Sequence, residues 1–365
     1  MSHEIDTFFQ AMIEGGGSDL HLAQGQPPKY RRHGAIQPLR EELLTAEEIE
    51  RILEEICKPH MWEKFTDKGD LDFAYEMNAE SRFRCNYYRH THGIGAIFRL
   101  IPTKIPTITE LGLPEVIERE FGNMRSGLVL VTGPTGSGKS TTLAALINYI
   151  NRTYARHIIT IEEPIEFVHE NLRSVITQRE VPSETPNFSV GLKASLRQDA
   201  DVILVGEMRD LETISLALTA AETGLLVFGT LHTNSAAKTI DRVIDAFPAE
   251  QQELVRTMLS TSLRGVVAQL LMQKQDGGGR VAVNEIMISS AAVSSIIREG
   301  ATYKLSDVLK SGRAEGMQQM DDAIMKLLEG NQVSAREAYM KGLDKTRFLP
   351  YLEREGSALK HHNGA

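Results

Sequence analysis

Gly133-Pro134-Thr135-Gly136-Ser137-Gly138-Lys139-Ser140 is a complete GxxxxGK[ST] match, and what flanks it decides the fold. The apolar run Leu128 to Val131 leads into the octet, and Leu143, Leu146 and Ile147 follow it at helical spacing. A buried strand therefore passes through a glycine-rich turn into a helix. In that setting the glycines let the backbone wrap until its N–H groups and the helix N-terminus face phosphate. Lys139 then reaches the β and γ phosphates of ATP, the Ser140 hydroxyl ligates Mg2+, and Thr141 continues the binding segment. A plain turn with a solvated lysine is the competing reading, and the strand and helix on either side argue against it.

Further along, Ile158 to Ile161, Val202 to Val205 and Leu225 to Phe228 are short apolar runs alternating with helical segments. Strands apolar on both faces and separated by helices predict an α/β fold, a largely parallel sheet covered on both sides. Ligands bind at the carboxyl ends of such strands, and here each run ends in polar groups. Val205 leads to Gly206-Glu207, which makes Glu207 the candidate water-activating base. Ile161 leads to Glu162-Glu163-Pro164, and either glutamate suits Mg2+ held through water, because Mg2+ takes few carboxylates and keeps its hydration. Phe228 leads to Gly229-Thr230-Leu231-His232-Thr233, which places His232 to sense the γ-phosphate by hydrogen bonding. Asp199 and Asp201 precede their strand and read as caps or solvated charges. Gly277-Gly278-Gly279 predicts a hairpin turn between Leu270-Leu271 and Val281-Ala282-Val283, with mostly helix beyond it and a frayed tail from Gly356.

Residues 1–100 read as a small α+β domain. Thr45 with Glu48 forms a capping box before Ile49, Ile52, Leu53 and Ile56, and Leu71, Phe73, Tyr75, Phe83 and Cys85 alternate as in strands. Two prolines in Ile101-Pro102-Thr103-Lys104-Ile105-Pro106-Thr107 predict a linker over 101–125. The ATPase core then spans 126–290 and a helical region 291–365.

A net charge of −9 over 365 residues argues against strong non-specific binding to nucleic acid or anionic lipid. Two cysteines, Cys57 and Cys85, are too few for a disulfide framework. No run of about 18 apolar residues occurs, and Glu4 and Asp6 stand where a signal peptide starts positive. The expectation is a cytoplasmic protein that meets the membrane only through partners.

The motifs together resemble the hexameric secretion and pilus ATPases, and within them the type IV pilus retraction ATPases of the PilT and PilU type. The resemblance rests on the phosphate loop at 133–140, the Asp box Ile161-Glu162-Glu163-Pro164-Ile165-Glu166-Phe167, the Walker B segment Leu196 to Asp210 and the His box Gly229 to Asn234, in the family's order. Gly17-Ser18-Asp19-Leu20-His21-Leu22 and Ser81-Arg82-Phe83-Arg84 look like the family's PAS-like N-terminal domain, which precedes a RecA-like ATPase domain. The resemblance implies that Arg84 and Arg99, with Arg82 a weaker third, stabilise phosphoryl charge. It also implies a homohexamer that powers pilus retraction and twitching motility. Its partners would be a pilus inner-membrane platform protein and a paralogous retraction ATPase. Assembly ATPases commonly carry a four-cysteine metal module, and this chain has two cysteines. A pilus-assembly or type II secretion ATPase and an accessory subunit are the alternatives. Two departures stand out. The family's usual Glu-Asp-Pro is Glu162-Glu163-Pro164 here, and its Ala-Ile-Arg-Asn-Leu-Ile-Arg-Glu signature is Ala292-Val293-Ser294-Ser295-Ile296-Ile297-Arg298-Glu299.

Overall fold

The computed structural model describes residues 3–362 apart from 33–34, 79–80 and 102–103, with side chains as far as residue 355. The chain divides into two units, Met1–Lys104 with Pro164–Val168, and Ile105–Glu163 with His169–Ala365. Pro102 and Thr103 of the expected linker, and residues 363–365 of the expected frayed tail, lie outside the described residues.

In the first unit β1 (Asp19–Ala23), β2 (Lys29–Arg32), β3 (Ala35–Pro38), β4 (Asp70–Asn78), β5 (Ser81–His90) and β6 (Gly93–Ile101) form one antiparallel sheet in the order β3-β2-β1-β6-β5-β4. The alternation of β5 sorts its two faces: Phe83, Cys85 and Tyr87 are buried, whereas Arg84 is exposed. Helices Ile5–Glu14, Ala46–Glu55 and Pro59–Lys68 supply the rest of that core. Phe9 stacks on Phe83 with ring centroids 3.8 Å apart. Thr45 Oγ1 accepts the Glu48 N–H at 3.1 Å, so the helix begins where the sequence places its cap.

The second unit is built on β7 (Gly127–Thr132), β8 (His157–Glu162), β9 (Val175–Glu180), β10 (Val202–Val205), β11 (Leu226–Leu231), β12 (Leu263–Gln273) and β13 (Arg280–Ile288). Their order is β13-β12-β7-β11-β10-β8-β9, parallel throughout except for β13, which returns antiparallel to β12 through the glycine-rich turn. Both faces are covered, as the apolar runs require. Leu128, Leu130, Ile203 and Val205 enter one core, while Val129, Val131, Val202 and Leu204 enter the other. The phosphate-loop helix Lys139–Thr153 closes the second core with Leu143, Leu146, Ile147 and Ile150.

Two expectations change. Residues 105–125 are not a bare linker: Ile108, Leu113, Val116, Ile117 and Phe121 are buried in the core beside the phosphate-loop helix, because their apolar side chains gain more from burial than from water. The last helix runs Lys345–His362 and so continues through most of the segment expected to fray.

The signature-like helix is Ala291–Glu299. Ser290 caps it, Gly300 ends it in the left-handed region, and Val293, Ile296 and Ile297 are buried. Ser294, where the family commonly has arginine, donates to Ser260 O at 2.7 Å.

Candidate active site

Because β7, β8, β10 and β11 are parallel, their carboxyl ends share one edge, and the candidate groups follow those ends directly. The phosphate loop leaves β7. Gly133 and Gly138 sit at φ +147° and +86°, where side-chain-bearing residues are strained. A Cβ on Gly133 would lie 2.2 Å from Gln269 O and 2.6 Å from Ser137 Oγ, so the loop's entry tolerates no side chain. Lys139 begins the helix, and its Nζ donates to Gly133 O at 2.9 Å and Pro134 O at 3.1 Å. The ammonium thus lies over the loop, with Ser140 half-buried behind it on the first helical turn.

Glu207 follows β10. Its Oε1 is 2.9 Å from His232 Nε2 and also accepts from Arg209 Nε. Burial acts to raise the carboxyl's pKa, but the hydrogen bond and charge of Arg209, with His232 adding to them, hold it below the ordinary glutamate value. An ionised carboxylate only accepts, so His232 Nε2 carries the hydrogen of their bond. Both bonds fall on Oε1, which leaves Oε2 without a protein partner among the described residues. Beneath this pair, Thr230 Oγ1 donates to Gly206 O and Met208 N donates to Thr230 O, locking the ends of β10 and β11 together.

Glu162 is the last residue of β8 and is held, not free: Thr160 Oγ1 donates to its Oε1 at 2.6 Å and Gln178 Nε2 at 3.3 Å. Glu163 is exposed, and its charge acts on Arg209. The Asp box is thus divided, since Pro164–Val168 belongs with the first unit. Asp201, at the opposite end of β10, accepts the His157 N–H at 2.8 Å, a structural role consistent with its position.

The second unit thus gathers Lys139, Ser140, Glu162, Glu163, Glu207 and His232. Arg82, Arg84 and Arg99 belong to the first unit. Arg84 and Arg99 are exposed cross-strand neighbours on β5 and β6, and Arg99 Nε donates to the buried Asp19 at 2.8 Å. Sequence reasoning gave no role to Arg209, Thr160 or Gln178. Arg209 stood two residues from Glu207 in an acidic and basic stretch, but nothing in a linear pattern shows which carboxylate an arginine meets.

The site fits a nucleotide and Mg2+. The cradle admits no Cβ at its entry, and a hydroxyl stands at the helix start. Among the described residues no cluster of three or more His, Cys, Asp or Glu offers an all-protein metal cage. Mg2+ bound by one hydroxyl, phosphate oxygens and water needs none.

Residues 1–341 match the family of type II/IV secretion system proteins. The chain belongs to that family. Among relatives in this secretion-protein family, the type IV pilus retraction ATPase PilT of Pseudomonas aeruginosa is 49% identical over 326 residues, covering 89% of this chain and 94% of that one. A twitching motility protein of Neisseria gonorrhoeae is 47% identical over 311 residues, covering 85% and 83%. The crystal structure of the pilus retraction motor PilT with bound ADP superposes with a TM-score of 0.88 at 41% identity, covering 94% of this chain and 98% of that chain. The fold class is accordingly the expected one, an N-terminal PAS-like α+β domain followed by a RecA-like ATPase domain with a helical C-terminal region.

Proposed function

We propose that this chain is a Mg2+-dependent ATPase that works as a homohexameric ring and powers retraction of a type IV pilus. The observation that carries the enzymatic reading is the carboxylate of Glu207, fixed through Oε1 by His232 and Arg209 while Oε2 remains open, on the edge that presents the phosphate loop. Such a carboxylate orients and polarises the attacking water. Its depressed pKa makes it a weak base, which suits phosphoryl transfer, where positioning and charge stabilisation outweigh proton removal.

Lys139 and the loop N–H groups hold the β and γ phosphates, Ser140 takes Mg2+, and Glu162 or Glu163 meets the metal's water shell. Mg2+ supplies charge neutralisation across the phosphates. His232 gives its Nε2 hydrogen to Glu207 or, when ATP is bound, to the γ-phosphate, so occupancy of one strand end is felt at the next. Arg84 and Arg99, with Arg82, supply the cations that a separate domain brings to a phosphate in the assembled ring.

Support for retraction as the output comes from the PilT relatives, which are named for it, and from the length over which the chain follows them. The partners are then a pilus inner-membrane platform protein and a paralogous retraction ATPase. Among the described residues no helix is long and apolar enough to cross a membrane, in keeping with a peripheral, cytoplasmic place at the pilus machine. Deletion of the gene with complementation by wild type or Lys139→Ala tests the reading. Surface pili that accumulate while twitching is lost support retraction. Loss of pili replaces it with assembly.

A further inference from the structure

β12 carries a single amide in an otherwise apolar run, Val266-Val267-Ala268-Gln269-Leu270-Leu271. Gln269 is 2% exposed, and a buried amide is costly unless its donors and acceptor are paired. Its Nε2 donates to Ser137 O at 2.7 Å. Its Oε1 accepts from Thr142 Oγ1 at 2.8 Å and from Asn284 Nδ2 at 3.0 Å. Thr142 and Asn284 are themselves buried. One side chain therefore grips the phosphate loop through a backbone carbonyl, the first turn of its helix through Thr142, and the β13 strand through Asn284.

The glycines of the loop are shaped to this same residue. A Cβ on Gly133 would lie 2.2 Å from Gln269 O, and one on Gly138 would lie 2.9 Å from Gln269 Nε2. β12 pairs with β7 up to Ala268 opposite Thr132, so Gln269 stands one residue beyond the last paired position, level with the start of the loop. Thr142 and Asn284 both donate to Oε1, which fixes the amide so that Nε2 faces Ser137.

We propose that Gln269 is a positioning residue for nucleotide phosphates: through Ser137 O it holds the loop 133–140 in the curvature at which its N–H groups converge. The inference rests on reading that loop as the phosphate cradle. A loop that grips phosphate does so before and during the reaction, so loosening it weakens ground-state binding as well as turnover.

Gln269→Glu tests it with little change of volume. The glutamate keeps an acceptor for Thr142 and Asn284 and, in the ionised form favoured by titrating at alkaline pH, sets a second acceptor against Ser137 O. In the full chain, MgADP affinity by titration calorimetry is expected to fall about tenfold or more, with KM for ATP rising more than kcat falls. The Tm of the nucleotide-free protein should shift much less than the stabilisation gained from MgADP. A purely structural amide would lower Tm and leave the affinity of the folded protein unchanged, which overturns the inference. Should Gln269→Glu not fold, Thr142→Val decides: it releases one of the two bonds that aim the amide, and an affinity equal to wild type again overturns the proposal. Lys139→Ala runs beside both. If that variant binds MgADP as tightly as wild type, the phosphate-loop reading fails and takes this inference with it. If only Lys139→Ala weakens binding, the loop reading stands and Gln269 is removed from it.

Discussion

Glu207→Gln is the most informative single change at the strand edge, because it keeps the side chain's shape while removing the charge that Arg209 and His232 hold in place. A positioned carboxylate that handles the attacking water contributes typically about 10² to 10⁴ in rate, which is about 3 to 5 kcal/mol of transition-state stabilisation. The folding cost should be far smaller. Arg209 is 67% exposed, so its pair with Glu207 is largely screened by water and falls in the range of about 0 to 1 kcal/mol for surface ion pairs. ATP hydrolysis by the full chain, measured as phosphate release with saturating Mg2+, is therefore expected to fall at least a hundredfold while MgADP affinity stays within a few fold of wild type. The pH profile adds a second check. Glu207 is held below the ordinary glutamate value of 4.5, so it stays ionised as pH falls towards that value, and the acid limb of wild-type turnover above it belongs to other groups. Turnover in Glu207→Gln within about twofold of wild type would refute the assignment, as would equal losses of affinity and rate.

Gly133→Ala should abolish nucleotide binding while leaving far-ultraviolet circular dichroism unchanged, since the new Cβ meets Gln269 O at 2.2 Å and the loop must leave β12. Arg84→Ala and Arg99→Ala should lower kcat far more than ATP affinity, and mixing either with Lys139→Ala should recover ATPase activity if the arginines act across a subunit boundary; no recovery despite proven co-assembly would place them within their own chain or away from ATP. Native mass measurement should give six copies of the chain, and a fully active monomer would exclude the ring. In the C-terminal region burial acts to raise the Asp322 pKa, but Arg347 and Arg313 outweigh it and hold the carboxyl below 3.8. Asp322→Asn should therefore cost about 1 kcal/mol at neutral pH, and the difference should fade as acid titration passes below 3.8 and protonates the wild-type group, because a depressed pKa stabilises only above it.

The order of strands in the first unit and the burial of residues 105–125 show how far local pattern reaches. Alternation of Phe83 and Cys85 with Arg82 and Arg84 is a property of neighbours in the chain, and it correctly divides β5 into a core face and an open face. The prolines Pro102 and Pro106 are read as a linker on equally local grounds. They say nothing of Ile117 and Phe121, whose burial depends on a helix that begins at Lys139.

The same division runs through the site. Sequence by itself determined that a strand, a glycine turn and a helix meet at 133–140, the loop we propose as a phosphate cradle, and that carboxylates and a histidine follow three further strands. Each of these is written within a few adjacent residues, and parallel pairing of such strands puts their carboxyl ends on one edge. Only the tertiary structure decided which groups touch: His232 with Glu207 across 25 residues, Gln178 with Glu162 across 16, and Gln269 with Thr142 across 127. Strand order and register select those pairs. They are set by how two apolar cores fill together on opposite faces of one sheet, a packing outcome with no local signature.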